Sequence, residues 1–259
     1  MRFIPLFSGS SGNSSLLDCG ETKLLIDAGL TGKAVSGALS ELSISPTELS
    51  GILITHDHID HTKAVGILSR KYNLPVYANA ATWEAMQPIV KEIAFKNVRL
   101  FRSDQDFYIG NVNITPFRTP HDAAESVGFT FFEGGKKLLY MTDIGCVQDS
   151  MFSHAEGCSL VFVEANHDIE MLKNGPYPYV LKQRILSTKG HLSNESCGKL
   201  LSQFYSMGIR FAVLGHLSSE NNTPSLALET VSNVLAEDGI TDFNLTVAKR
   251  SEITGIFEI

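Results

Sequence analysis

The chain is poor in the features that mark an unusual environment. Its four cysteines, Cys19, Cys146, Cys158 and Cys197, include no CxxC pair, which argues against a disulfide framework and a structural zinc knot. They read as reduced thiols of a cytoplasmic protein. No apolar run approaches the roughly 18 residues that cross a bilayer. The opening segment MRFIPLF is too short, and too interrupted by proline, for the apolar centre of a secretory signal. Positive charge is scarce as well. There are 21 Lys and Arg against 28 Asp and Glu, a net of −7, which disfavours general nucleic-acid binding because phosphate contacts supply most of that affinity.

What remains is ordinary globular material. Apolar residues make up 43% and charged residues 19% of the 259 positions, which excludes a disordered or coiled-coil chain. Composition does not break anywhere, so one domain is expected over residues 1–259. Charge is uneven in one place. Between Met171 and His191 stand Lys173, Lys182, Arg184 and Lys189 with no Asp or Glu.

The apolar spacing reads as strands first, then helices alternating with strands. Strands are expected at Phe3–Phe7, Leu16–Asp18 and Lys23–Ile26. The first two flank a Ser/Gly-rich loop over residues 8–15, which suits either an oxyanion or a plain turn. Helical spacing covers Thr31–Leu42, Lys63–Lys71, Ala80–Val90 and Leu226–Leu235. A buried strand is expected at Gly51–Thr55, a β-rich stretch over Val98–Met141, and buried strands at Ser159–Glu164 and Phe211–Leu214. Closing strands fall within Asn244–Glu258. Ser193–Met207 reads as a delimited helix, with Ser193 as N-cap, an apolar face of Leu200, Leu201 and Phe204, and Gly208 beyond its end.

The informative segment is Thr55-His56-Asp57-His58-Ile59-Asp60-His61. Only 8 histidines occur in the chain, and three crowd into this loop after a buried strand. Imidazole nitrogens with carboxylate oxygens suit Zn²⁺, Mn²⁺ or Fe, whereas an all-oxygen set would suit Mg²⁺ or Ca²⁺. His56 and His58 can converge on one ion, while Asp60 and His61 turn elsewhere, which favours two adjacent metals. One loop cannot supply both. His121, Asp143 and His216 each stand directly beyond an apolar strand, where a rigid scaffold can present them.

HDHIDH, followed by His, Asp and His at strand ends, resembles the metallo-β-lactamase-fold hydrolases over essentially the whole chain. That resemblance implies an α/β protein, an αβ/βα four-layer sandwich of two mixed β-sheets flanked by helices. It implies His56, His58 and His121 on one metal, Asp60, His61 and His216 on the other, and Asp143 bridging. Asp27 would orient the ligand loop from behind without touching metal. Glu164 in EANHD and His191 in GHLS resemble the paired segments of the superfamily's metal-dependent nucleases, in which the histidine protonates the leaving oxygen. GHLSNE (190–195) and GHLSSE (215–220) nearly repeat. The strand before His216 favours it over His191 as ligand.

Two divalent cations bring four positive charges, Asp60 and Asp143 remove two, and a bridging hydroxide removes one more. The centre stays positive and suits a phosphodiester attacked by that hydroxide. Asp60, inside the reaction centre, and His191 are the candidate catalytic residues. Ser193 with its helix's amides could hold a phosphate, and Lys182 and Arg184 could contact a nucleic-acid backbone. From His121 to Asp143 is 22 residues and from Asp143 to His216 is 73. These spacings are too short for the arm of transfer-RNA-processing members or the inserted domain of RNA-degrading and DNA-repair members. SGSSGNS, HDHIDH, EANHD, GHLSNE and LGHLSSENN resemble the YycJ/WalJ group, whose 5′→3′ DNA exonuclease activity is the function implied. The alternative is a small-molecule hydrolase, a cyclic phosphodiesterase or thioesterase, with no nucleic-acid role. Thioesterase-type members usually continue the motif as HxHxDHxGG, and here it continues Thr62-Lys63-Ala64-Val65-Gly66. A non-catalytic metal module is disfavoured, since this ligand set leaves room for water on both ions.

Overall fold

Continuous apolar runs, whose successive side chains point to opposite faces, give each of two sheets a pair of buried faces. The computed structural model describes all 259 residues. The first sheet contains β1 (Arg2–Phe7), β2 (Ser14–Cys19), β3 (Thr22–Ile26), β4 (Gly51–Leu53), β5 (Val76–Ala78) and β6 (Val98–Leu100). The second contains β7 (Phe107–Ile109), β8 (Val112–Arg118), β9 (Val127–Glu133), β10 (Lys136–Met141), β11 (Leu160–Glu164), β12 (Phe211–Gly215) and β13 (Asn244–Val247). A last strand, β14 (Phe257–Glu258), returns to the first sheet beside β1, so each sheet has seven strands. Both are mixed: β3 to β6 and β10 to β13 run parallel, and the other neighbours antiparallel.

Three apolar clusters define the layers. Within β2, Leu16 faces one way and Leu17 the other, and the same split recurs at Leu25 and Leu24 of β3. Phe3, Leu17 and Leu24 of the first sheet meet Phe129, Tyr140 and Phe162 of the second in the central layer. Outside the first sheet pack α1 (Gly32–Glu41), α2 (Ile59–Thr62), α3 (Val65–Tyr72) and α4 (Ala80–Val90), contributing Val35, Leu39, Leu68 and Met86. Outside the second lie α5 (Ser150–Ala155), α6 (Ile169–Asn174), α7 (Tyr179–Ile185), α8 (Asn194–Ser206) and α9 (Pro224–Glu237). Of these, α5, α8 and α9 bring Met151, Leu201, Phe204 and Val231 to the outer core. This is the expected four-layer sandwich.

Expected boundaries shift in three places. The helix expected over Lys63–Lys71 is α3, shifted to Val65–Tyr72, and a separate short helix before it, α2, places Asp60 and His61 in a helical turn rather than an open loop. Tertiary hydrogen bonds cause this: Ala64 N–H donates to the Ala28 carbonyl at 2.8 Å and Ala28 N–H to the His61 carbonyl at 2.8 Å. The closing strands belong to different sheets. The basic segment 171–191 carries α6 and α7, short helices that Gly175, Pro176 and Pro178 interrupt before any long apolar period develops. Ser193 does cap α8, its Oγ accepting from Ser196 N–H at 3.2 Å, and Gly208 closes that helix at φ +97°.

Phe162 anchors the central layer, with ring centroids 5.2 Å from Phe3 and 4.8 Å from Tyr140. Phe162→Ala should cost about 3–5 kcal/mol, read as a lower urea midpoint at unchanged slope. A cost well under 1 kcal/mol would show that this layer does not hold the sheets together.

Candidate metal centre

The chemistry-bearing side chains gather at one rim, beyond the ends of β3, β4, β8, β10, β11 and β12. Three of them turn the chain sharply as they leave their strands. Asp27, Asp143 and His216 have φ of 58°, 58° and 56°, a left-handed conformation that is unfavourable for side-chain-bearing residues and concentrates at functional sites. Gly29 lets the ligand turn approach closely, because a Cβ there would fall 1.6 Å from the Asp60 carbonyl oxygen.

Donor atoms form four overlapping groups, among them His56, His61 and Asp143, and Asp143, Glu164, His191 and His216; the other two are the expected sets. His56, His58 and His121 offer atoms mutually within 4.8 Å, and so do Asp60, His61 and His216. Asp143 reaches both, with Oδ1 3.6 Å from His121 Nε2 and 3.5 Å from His216 Nε2, and Oδ2 3.4 Å from His61 Nε2. These separations are long for hydrogen bonds. They suit atoms sharing a cation, since ligands about 2.1 Å from a tetrahedral ion lie about 3.4 Å apart. His56 Nε2, Asp143 Oδ2 and His216 Nε2 are buried without any hydrogen-bond partner, which is costly for polar atoms unless an ion takes them. The residues therefore fit divalent cations on chemistry as well as spacing.

The outer nitrogens of these histidines are held from behind. Asp27 accepts from Thr55 N–H at 2.9 Å and Thr55 Oγ1 at 2.8 Å, and its Oδ2 takes His61 Nδ1 at 2.8 Å. His121 Nδ1 donates to the Gly190 carbonyl at 3.0 Å. Glu164 holds two imidazoles at once, with Oε1 2.6 Å from His191 Nδ1 and 3.1 Å from His216 Nδ1, while Ile144 N–H donates to Oε2 at 2.8 Å. Each contact fixes which ring nitrogen faces the cleft.

Electrostatics divides the ring of ligands. Burial pushes His56 well below the usual imidazole value, and His61 and His121 push the same way, so it is a neutral donor. Burial opposes charge on His61 and His216 too, but the carboxylates around them outweigh it. His61 is held at about 9 chiefly by Asp143 and Asp27, and His216 well above its usual value chiefly by Asp143. Burial would raise Asp60, Asp143 and Glu164, and the facing imidazoles instead hold all three low as carboxylates.

The remaining expected residues separate. Arg184 lines the cleft with His58, Asp60 and His191 and pairs with the Asp122 carboxylate. Lys182 does not line it. Its Nζ donates to the Lys173 carbonyl at 2.7 Å, at the end of α6. Ser193 lies across His191 on a separate cavity, with its hydroxyl engaged in capping α8. The Ser/Gly loop is a brace: Ser8 Oγ accepts from His216 N–H at 2.7 Å, Asn13 N–H donates to the Asp60 carbonyl at 2.8 Å, and Ser14 Oγ to the Asp27 carbonyl at 2.9 Å. Sequence reasoning gave no role to Thr55 or Asn13. Thr55 had a signal in its place next to His56, while Asn13 meets Asp60 and His61 only through the fold. Asp57, inside the motif, accepts from Ala124 N–H at 2.9 Å and holds the loop after His121.

Residues 22–217 match the family profile of the beta-lactamase superfamily domain. The chain belongs to that superfamily, as a metal-dependent hydrolase with the metallo-β-lactamase fold. It is 40% identical over 239 residues to the exodeoxyribonuclease YycJ of Bacillus anthracis, covering 92% of this chain and 90% of that one. The exodeoxyribonuclease WalJ of Streptococcus pneumoniae D39 is 40% identical over 238 residues, 91% and 88% of the two chains. Among solved structures, the metallo-β-lactamase fold protein YhfI of Bacillus subtilis superposes with a TM-score of 0.74 at 21% identity, covering 100% and 99%. Zinc-bound PqqB of Methylobacterium extorquens does so at 0.75 and 16%, covering 100% of each. These two likenesses concern the fold alone.

Protons and cations compete for His61 and His216. Zinc or manganese binding should release protons, read calorimetrically as an enthalpy that depends on the buffer's ionisation enthalpy. Apparent affinity should rise with pH up to about 9, where His61 loses its proton. Buffer-independent enthalpies would contradict the assignment. Asp27→Ala should weaken metal affinity about 10- to 100-fold, measured by competition with a chromophoric chelator.

Proposed function

We propose that the chain is a two-metal exonuclease that hydrolyses DNA phosphodiester bonds in the 5′→3′ direction, in the cytoplasm. The observation that carries this reading is Asp143 reaching both donor sets, with His191 alongside on Glu164. Relatives named exodeoxyribonucleases, 40% identical over nine-tenths of the chain, support DNA as the substrate. The polarity rests on the resemblance of the sequence signatures.

Zinc or manganese suits the mixed nitrogen and oxygen donors, and iron is tolerated. Two such ions, when bound, supply Lewis-acid polarisation of the phosphate and an acidified water. The chain's own residues do the rest. Asp60 and Asp143 stay ionised and limit the positive charge of the centre, leaving it attractive to a phosphodiester monoanion. His191 is mostly buried at the cleft, its side chain 20% exposed, and its Nδ1 is taken by Glu164. Burial works against its charged form, but the Glu164 carboxylate outweighs burial and raises its pKa, so the ring keeps a proton. Its Nε2 is then free to deliver that proton to the leaving oxygen. Arg184, steadied by Asp122, offers a guanidinium to a phosphate at the mouth of the cleft.

End-labelled duplex and single-stranded DNA, given to chelator-stripped protein resupplied with zinc or manganese, tests the reading. Mononucleotide release from the 5′ end, restored by metal, is expected. His191→Ala should lower kcat about 10²- to 10⁴-fold with metal content unchanged. Turnover of cyclic phosphodiesters or thioesters with intact DNA would transfer the site to small molecules.

A further inference from the structure

The cleft at the metal donors measures about 200 Å³, below the 300–1,000 Å³ typical of sites that enclose a small molecule. It admits a phosphate group and leaves the flanking nucleotides outside. On the other side of His191 lies a larger cavity of about 580 Å³, and the His191 ring lines both. Its wall starts at Gly145 and Cys146, just past Asp143. Phe152, Leu186 and Leu200 give it an apolar surface, with Gln203 at the edge.

His167 lines this cavity and was given no role by the sequence motifs or by the metal site. It is 1% exposed, and neither ring nitrogen has a hydrogen-bond partner, although buried polar groups are normally paired. Its backbone is fixed, because the Asn194 N–H at the start of α8 donates to its carbonyl at 2.9 Å. Burial holds the ring at a pKa of about 4, so at neutral pH it offers one donor and one acceptor and no charge. The rim carries Lys199 and Asp149, of opposite sign, and the Ser193 hydroxyl already caps α8. An anion finds little to bind here. A flat, uncharged heterocycle with its own donors and acceptors finds apolar walls and a matching imidazole.

We propose that this cavity is a nucleobase subsite that receives the base on the leaving-group side of the scissile phosphate, with His167 hydrogen-bonding its edge. The placement rests on the nuclease reading above: His191 protonates the leaving oxygen, and the nucleotide attached to that oxygen continues past His191 into the cavity. Base stacking and edge recognition together supply binding that the small metal cleft cannot.

Cys146, half-buried on the cavity wall, provides a readout independent of catalysis. Its alkylation by iodoacetamide, followed by peptide mass spectrometry, is compared with and without deoxyadenosine, and with inorganic phosphate. Deoxyadenosine should slow alkylation of Cys146 about tenfold at saturation and leave Cys19, on β2, unaffected. Phosphate should not protect. His167→Leu and Gln203→Trp, which remove the polar edge and fill the mouth, should each abolish protection. Protection by phosphate alone, or by neither probe, would overturn the proposal. On DNA with an abasic residue on the leaving side, kcat/KM should fall about tenfold for the unmodified protein, with no further fall in either variant. Equal cleavage of abasic and normal DNA would also overturn it. If no DNA were cleaved, the nuclease reading would fail, and the thiol measurement would still decide whether the cavity takes a base.

Discussion

Asp27 is wholly buried at the end of β3, and both its oxygens are engaged by the backbone and hydroxyl of Thr55 and by His61. A buried carboxylate is tolerated only when paired and hydrogen-bonded. Here the partners are the first residue of the motif loop and a donor at its end, so satisfying one charge sets the path of the whole loop. The same carboxylate selects the His61 tautomer, which leaves Nε2 for the cleft. Glu164 repeats the arrangement in the second sheet, serving His191 and His216 together. The fold thus places one buried acid in each sheet, Asp27 behind His61 and Glu164 behind His191 and His216.

This arrangement concentrates groups that would otherwise repel or desolvate one another. Histidines held neutral, histidines held protonated and ionised carboxylates share a small volume, with several polar atoms left unpaired. Left-handed backbone at Asp27, Asp143 and His216 adds strain. None of this favours folding by itself. The apolar clusters on both faces of both sheets carry the stability that offsets it.

The sheet core was legible because short apolar runs bounded by turn residues and strand-end histidines are local signals. Leu16 and Leu17, adjacent in sequence, already indicate a strand with two buried faces, and HxHxDH states its chemistry in six residues. Less was legible where partners are distant. The turn at Asp60 and His61 depends on hydrogen bonds to Ala28, more than thirty residues earlier, and no spacing within the motif encodes that. The basic segment hid two helices behind prolines, and its charges scatter: Arg184 faces the cleft while Lys182 caps α6. Ser193 fits its predicted cap, but as a cap its oxygen is already engaged. His167 sits inside EANHD, but the motif assigned it no role, and only its unpaired burial sets it apart.

The two donor sets share one further property. His56 and His58 reach the rim from the first sheet and His121 from the second; Asp60 and His61 come from the first, and His216 from the second. Any ion held by either set therefore rivets the two halves of the sandwich across their open edge. Loading would stiffen the molecule as well as arm it, and stripping would let the halves part first at the rim, far from the aromatic layer that joins them.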